Sequence, residues 1–168
     1  MAEGILKARL AEAGIAASVS SAGLIPGGMP ATPAAVDVLA ARGIDISAHE
    51  SRQLAADQID RAEVVLGMTR AHAREAVVLV PGAFPRIFTV KELVQRAGLS
   101  GGRVADQPIT EYLAKLAAGR RLADLLGSDP YDDIADPIGQ PRKVYEATAA
   151  ELDEWLGRVV DTLWPEPR

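Results

Sequence analysis

Residues 62–93, AEVVLGMTRAHAREAVVLVPGAFPRIFTVKEL, decide the fold. Residues 63–68 contain a continuous apolar run, which is typical of a strand buried on both faces. Thr69 can cap a helix from Arg70 to Val80, which a Pro-Gly pair then terminates. A second strand is predicted at residues 86–90. A strand, a helix and another strand in succession indicate an α/β fold with a mostly parallel sheet.

The sequence on both sides of this segment continues the alternation. A third strand is expected at residues 17–21, where a short β-type run surrounds Val19. Thr32 stands directly before Pro33, which is the preferred order of an N-cap and a first helical residue. Further helices are predicted at residues 2–13, from Pro33 to Gly43, at 55–62, 91–97 and 109–126, and from Arg142 to about Leu163.

The whole chain, residues 1–168, is interpreted as a single domain. Its length suffices for one complete hydrophobic core, and its 48% apolar and 24% charged residues are close to globular averages. No internal repeat interrupts the pattern. The segment near residues 98–130 is expected to be an elaboration of this domain, because its helices need another surface to cover their apolar faces.

Composition excludes several classes of protein. Cysteine is absent, so the 168 residues hold no disulfide, no thiolate metal site and no cysteine nucleophile. With 18 Lys and Arg against 23 Asp and Glu, the net charge of −5 argues against a nucleic-acid partner. No apolar run approaches the roughly 18 residues of a membrane span. The first ten residues, MAEGILKARL, lack the features of a signal peptide, so a cytoplasmic location and no membrane partner are expected.

Few residues qualify for catalysis or metal binding. The sequence has no Gly-rich phosphate or dinucleotide loop, no Ser elbow and no paired metal-binding histidines. The two histidines, His49 and His72, lack companions at ligand spacing, so neither a metal nor a cofactor is expected. Ser20 and Ser21 follow a strand, where serines usually provide no more than hydrogen bonds at the strand end.

Two Asp-Pro pairs occur late in the chain, at Asp129-Pro130 and Asp136-Pro137. Asp and Pro both favour turns, and this ordinary interpretation suffices for either pair. Alternatively, one of the two carboxylates is held in a loop as a general acid. From residue types alone, the turn interpretation is clearly favoured.

The order of these segments resembles the low molecular weight protein-tyrosine phosphatases, in a form like those of actinobacteria. The resemblance covers nearly the whole chain except the stretch near residues 98–130. The matching segments are MAEGILKARL, Val19-Ser20-Ser21-Ala22-Gly23, GMPATPAAVDVLAARGIDISAHESRQL, AEVVLGMTRAHAREAVVLVPG, RIFTVKEL and Asp136-Pro137-Ile138-Gly139.

The resemblance implies both a fold and a chemistry. The implied fold has a four-stranded parallel sheet with helices on both faces. A Cys-x5-Arg loop after the first strand supplies the nucleophile and cradles the phosphate at a helix N-terminus. A later Asp-Pro loop protonates the departing phenolate, and Asp136 is the residue that matches this acid. A phosphotyrosine protein or an aryl phosphate would be the substrate when that loop is present.

The sequence departs from the family pattern at its start. The family's phosphate loop runs into a Ser-Pro-Met-Ala-Glu-Gly-like helix start, and this sequence begins at Met1-Ala2-Glu3-Gly4. The first strand, the nucleophilic Cys and the phosphate-binding Arg therefore have no counterpart here, which predicts an inactive chain with unpaired strand edges. Position 138, usually aromatic in the family, is Ile138. Asp136 is expected to face the start of the first helix, near Met1 to Glu3.

Three explanations follow. The chain is either an N-terminally shortened form of a working phosphatase, which we favour, or a non-catalytic descendant that acts as a binding or regulatory protein. A purely structural role is the third, with Trp155 and Trp164 on the closing helix as a docking face. A thiol-dependent arsenate reductase is excluded for these residues, because it requires cysteines.

Overall fold

A computed structural model describes residues 1–104 and 106–165. These residues form two compact units, the first made of Met1–Gln53 and Ile134–Gly157, and the second of the described residues within 54–133 and 158–165. Their helices are α1 Ala2–Glu12, α2 Pro33–Ala40, α3 Ala56–Arg61, α4 Arg70–Leu79, α5 Val90–Ser100, α6 Ile109–Ala117 and α7 Arg142–Leu163. The strands are β1 Val65–Gly67 and β2 Ile87–Thr89, and short 3₁₀ helices occupy Pro81–Arg86 and Leu122–Leu125.

The first unit contains α1, α2 and most of α7. Thr32 caps α2 as predicted, since its side chain accepts a hydrogen bond from the Ala35 amide at 3.4 Å, and Pro33 opens the helix. Close packing at Gly4 holds α1 against neighbouring residues. A Cβ atom at Gly4 would lie 2.8 Å from the Ile46 side chain, so only glycine fits without a shift.

The prediction of a strand at residues 17–21 is wrong. Within the described ranges these residues form no strand, and pairing nearby is limited to single bridges that join Gly23 to Gln53 and Pro30 to Glu50. A strand exists only where a neighbour accepts and donates its backbone hydrogen bonds. Residues 17–21 have no such neighbour among the described residues, so β propensity alone does not make them a strand.

The second unit confirms the α/β prediction. β1 and β2 pair in parallel, with Val65 opposite Ile87 and Gly67 opposite Thr89, and α4 connects them. Thr69 caps α4, as expected, by accepting a hydrogen bond from the His72 amide. The apolar core around this connection contains Ile59, Ala73, Ala76, Val77, Ala83, Ile87 and Leu125.

The single helix predicted at residues 109–126 is two elements. α6 ends at Ala117, and Gly119 then adopts a φ of +75°, a backbone conformation that favours glycine. The chain resumes as the 3₁₀ helix Leu122–Leu125. The turn brings Arg120 into the interior of the unit, where only 1% of its side chain is exposed. The remaining predicted helices are confirmed to within a few residues, and α5 extends to Ser100.

No helix in residues 1–104 and 106–165 is both long and apolar enough to cross a membrane. The cytoplasmic location and the single-domain interpretation stay predictions.

Candidate functional site

A cavity of the first unit lies at the N-terminus of α1. Its volume is about 600 Å³. One wall comes from the first two turns of α1 and the other from residues 45–52, which follow α2. The lining residues are Met1, Glu3, Gly4, Lys7, Asp45, Ile46, Ala48, His49, Glu50, Ser51 and Arg52.

Glu3 connects the two walls of this cavity. Lys7 donates a hydrogen bond to one carboxylate oxygen at 2.6 Å, and the Ser21 hydroxyl donates to the other at 2.6 Å. The His49 Nδ1 atom lies 3.8 Å from that second oxygen. Burial works against the charge, but the hydrogen bonds from Lys7 and Ser21 and the nearby positive charges outweigh it, so the pKa of Glu3 is lowered. The expectation that Ser21 provides a hydrogen bond fits this contact.

The wall at residues 50–53 is fixed by the Gly- and Pro-rich loop at residues 23–30. Ser51 accepts a hydrogen bond at its carbonyl from Gly28 and donates its amide to the Met29 carbonyl, both at 2.8 Å. A Cβ atom at Gly27 would lie 2.6 Å from the Ser51 carbonyl oxygen. The backbone of this wall is therefore tightly constrained. The residue pattern of the loop at residues 23–30 does not indicate that it packs against residues 50–53.

Asp136, the predicted general acid, belongs to the first unit and is exposed. Its carboxylate accepts a hydrogen bond from the Ile138 amide at 3.0 Å, a turn that Asp commonly forms. Asp136 is not among the described residues that line the cavity. Its orientation towards Met1 to Glu3 and its role as an acid stay predictions. Ile138 is 63% exposed.

The other Asp-Pro pair belongs to the second unit, in the loop of residues 129–133. Asp129 accepts a hydrogen bond from the Arg70 guanidinium at 3.0 Å and another from the Tyr131 amide at 2.9 Å. Asp132 accepts from the same guanidinium at 2.6 Å. Partial burial opposes the charge of Arg70, but the hydrogen bond to Asp132 and the neighbouring carboxylates outweigh it and raise the pKa of Arg70. Asp129 thus has a structural partner in Arg70.

The other residues singled out from the sequence differ in exposure. His72 is exposed on α4 and Ser20 is exposed, whereas Trp155 and Trp164 are half-buried. No group of three or more His, Asp or Glu side chains that could hold a metal occurs in the described part of the chain. Sequence reasoning did not identify Glu3, Lys7 or Arg70, which are ordinary charged residues in helical positions.

Residues 1–116 match the model of the low molecular weight phosphotyrosine protein phosphatase family, and the chain belongs to this family. The resemblance inferred from the sequence is therefore confirmed.

Individual relatives include both tyrosine and arginine phosphatases. The chain is 40% identical over 79 residues to a probable low molecular weight protein-tyrosine-phosphatase, EpsP, of Ralstonia solanacearum. That match covers 46% of this chain and 54%, about half, of the relative. The chain is 32% identical over 149 residues to the protein-arginine-phosphatase of Geobacillus stearothermophilus, covering 88% of this chain and 78% of the relative.

Solved structures agree with these matches. The low molecular weight protein tyrosine phosphatase from T. tengcongensis superposes with a TM-score of 0.71 at 31% identity, over 95% of this chain and 87% of that one. The YwlE arginine phosphatase from Geobacillus stearothermophilus superposes with a TM-score of 0.68 at 30% identity, over 96% and 82% of the two chains.

Proposed function

We propose that this chain carries the acid part of a phosphatase site and that its 168 residues alone do not hydrolyse phosphomonoesters. The observation that carries the proposal is the absence of cysteine from a member of a phosphatase family. In the covalent route that the resemblance implies, a thiolate attacks phosphorus while the bond to the leaving oxygen breaks, and water later releases phosphate. The sequence offers no thiol for the first step.

Asp136 is the residue that we assign to protonation of the leaving group. Its carboxyl proton would pass to the departing atom as the bond to phosphorus breaks, which is the oxygen of phosphotyrosine or the guanidino nitrogen of phosphoarginine. The carboxylate would then take a proton from the attacking water. An acid alone cannot replace the nucleophile or the donors that stabilise the transferring phosphoryl group. Asp136 therefore contributes only together with a strand and a Cys-x5-Arg loop placed before α1.

Two substrate classes are compatible with this assignment. A phosphotyrosine protein follows from the sequence resemblance and from the match to EpsP. A phosphoarginine protein is the second candidate, supported by the relative named protein-arginine-phosphatase, whose match covers 88% of this chain. The aliphatic Ile138 also favours it, because an aromatic residue two positions after the acid would stack better on a phenyl ring.

The test compares p-nitrophenyl phosphate turnover by the 168-residue chain and by a chain extended before Met1 with a strand and a Cys-x5-Arg loop. We expect no turnover by the first and clear turnover by the second. In the extended chain, Asp136→Asn should lower turnover of phosphopeptides by about 100-fold or more, which is the usual contribution of a general acid. Asp161→Asn, at an exposed position of α7, is the matched control. Phosphotyrosine and phosphoarginine peptides then separate the two substrate classes.

Turnover by the purified 168-residue chain would overturn the inactive assignment. An extended chain without any turnover would instead favour the non-catalytic descendant, acting as a binding or regulatory protein.

A further inference from the structure

The turn that carries Asp136 fixes one oxygen of its carboxylate. The Ile138 amide donates a hydrogen bond to the Asp136 Oδ1 atom at 3.0 Å. Pro137 stands between acceptor and donor, and its ring restricts φ there to about −65°. A protonated carboxyl group accepts hydrogen bonds better at its carbonyl oxygen than at its hydroxyl oxygen. In the protonated acid, this amide therefore keeps Oδ1 as the carbonyl oxygen and leaves the proton on Oδ2.

A second hydrogen bond holds the peptide group that contains the Ile138 amide. The Gln140 amide donates to the Pro137 carbonyl at 2.9 Å. This carbonyl and the Ile138 amide belong to one planar peptide group, so the two hydrogen bonds hold opposite edges of the same plane. The direction of the Ile138 N–H bond towards Oδ1 therefore depends on the closure of the turn by Gln140.

Gly139 makes this closure possible. It occupies the third position of the turn over residues 137–140, with a φ of +74°. A type II turn requires a positive φ at that position, and glycine adopts it without strain. A Cβ atom at Gly139 would have nothing within 4 Å, so the backbone conformation rather than the available space favours glycine. Asp136 is exposed and Ile138 is 63% exposed, so local hydrogen bonds rather than burial orient the carboxylate.

We propose that Gly139 is a positioning residue for the general acid, because its positive φ holds the Ile138 amide on Oδ1 and leaves Oδ2 to carry the proton. The inference rests on the proposed function of Asp136. In the transfer step, the thiolate of the loop placed before Met1 forms a bond to phosphorus as the bond to the departing atom breaks. The departing atom keeps that electron pair and takes the proton from Oδ2. A misplacement of about 1 Å is enough to cost a catalytic group up to about 100-fold in rate.

The first experiment uses the 168-residue chain and follows the Ile138 amide proton by nuclear magnetic resonance while the sample is acidified. This proton should shift when the Asp136 carboxylate is protonated, because a charged acceptor polarises the N–H bond more strongly. Gly139→Ala should reduce the shift by about half or more, since alanine is strained at positive φ, and Asp136→Asn should abolish it. Gly43→Ala is the matched control, because Gly43 has a φ of +76° and equally open surroundings in the same unit. Gly139→Asn should retain most of the shift, since asparagine tolerates positive φ.

The second experiment uses the extended chain and compares two leaving groups. Loss of a general acid slows phenyl phosphate, whose phenolate leaves poorly, far more than p-nitrophenyl phosphate, whose leaving group needs no proton. Gly139→Ala should therefore lower kcat/KM about tenfold for phenyl phosphate and little for p-nitrophenyl phosphate, with Asp136→Asn as the reference for this pattern. A general loss of folding would slow both substrates equally. Gly43→Ala should not produce the pattern, and Gly139→Asn should recover most of the rate.

Each result decides a different statement. The pattern in Asp136→Asn but not in Gly139→Ala overturns the positioning role and leaves the proposed function intact. An Ile138 amide shift that is unchanged in Gly139→Ala overturns the positioning role by itself, and so does a pattern of equal size in Gly43→Ala. If Asp136→Asn lacks the pattern, or the extended chain has no turnover, the proposed function fails and the positioning role fails with it.

Discussion

The Arg120 guanidinium pairs with both carboxylate oxygens of Glu92, at 2.6 and 2.9 Å, in the interior of the second unit. It also lies over two aromatic rings, with its central carbon 4.5 Å from the centroid of Phe84 and 4.1 Å from that of Phe88. The remaining guanidinium nitrogen, Nη1, donates a hydrogen bond to the Phe84 carbonyl at 3.0 Å. This one side chain therefore connects the segment after α6 to α5, to β2 and to the 3₁₀ helix before β2.

Removal of Arg120 should cost more stability than removal of any exposed arginine. Arg120→Ala removes the bidentate partner of Glu92, which keeps a hydrogen bond from Arg96 at 3.1 Å, so we expect a loss of about 3 kcal/mol, at the lower end of the range for a broken buried pair. Arg120→Lys keeps the charge but loses the planar fork and the stacking, so we expect an intermediate loss. Arg121→Ala is the matched control, since Arg121 is 79% exposed and exposed pairs contribute about 1 kcal/mol or less. Urea unfolding measures all three, and equal losses for the two alanine variants would contradict the prediction.

The same arginine explains why one helix prediction was wrong. Residues 109–126 have the periodicity of a continuous helix, but Gly119 and the partners of Arg120 end α6 at Ala117. Helical periodicity describes which faces are apolar, and it carries no information about a long-range ion pair. In contrast, the caps at Thr32 and Thr69 depend on residues within one helical turn, and both were predicted correctly.

The cap at Thr32 provides a second prediction. Thr32→Ala removes the acceptor for the Ala35 amide and the donor to the Tyr145 hydroxyl, which lies 3.3 Å away. The expected loss in unfolding free energy is about 1 kcal/mol. Thr32→Ser retains the hydroxyl and should lose much less, and Tyr145→Phe separates the second contact from the first. Thermal unfolding of the three variants is the measurement, and a Thr32→Ser variant as unstable as Thr32→Ala would show that the hydroxyl is not responsible.

A third prediction compares two glycines, one closely packed against backbone atoms and one with open space around it. Gly27→Ala places a Cβ atom 2.6 Å from the Ser51 carbonyl oxygen and 2.9 Å from the Arg52 Cα, both backbone atoms that cannot move aside cheaply. Overpacking of this kind costs about 1–3 kcal/mol. Gly98→Ala lies within α5 with open space around it and should be neutral or stabilising by up to about 1 kcal/mol. Urea unfolding compares them, and a Gly27→Ala variant as stable as the parent would mean that residues 23–30 are not packed on Ser51.

The candidate site was less predictable than the fold. The resemblance identified Asp136, but the contacts that surround the cavity join residues far apart in sequence, such as Ser21 to Glu3 and Met29 to Ser51. A serine after a β-type run and a glutamate in a first helical turn are both common, so neither indicates the other. The strand expected at residues 17–21 was wrong for a related reason, since strand formation depends on a neighbour that local sequence does not reveal.

The last prediction is a pH dependence of stability that originates at Glu3. The native pKa of Glu3 is lowered from the ordinary 4.5 by Lys7, Ser21 and His49, against the opposing effect of burial. A carboxyl whose native pKa is depressed binds more protons when the chain is unfolded. Its stabilising contribution is therefore complete above the pKa of the unfolded chain and is lost as the pH falls through the native pKa.

Glu3→Gln removes the charge, and at pH 7 it should lower the unfolding free energy by about 1–2 kcal/mol. Measured by urea unfolding between pH 7 and pH 3, the difference between parent and variant should be constant down to about pH 5 and should then shrink. Glu12→Gln, at an exposed position of the same helix, is the matched control and should show a much smaller difference. A difference for Glu3→Gln that stays constant down to pH 3 would show that the carboxylate charge does not stabilise the start of α1.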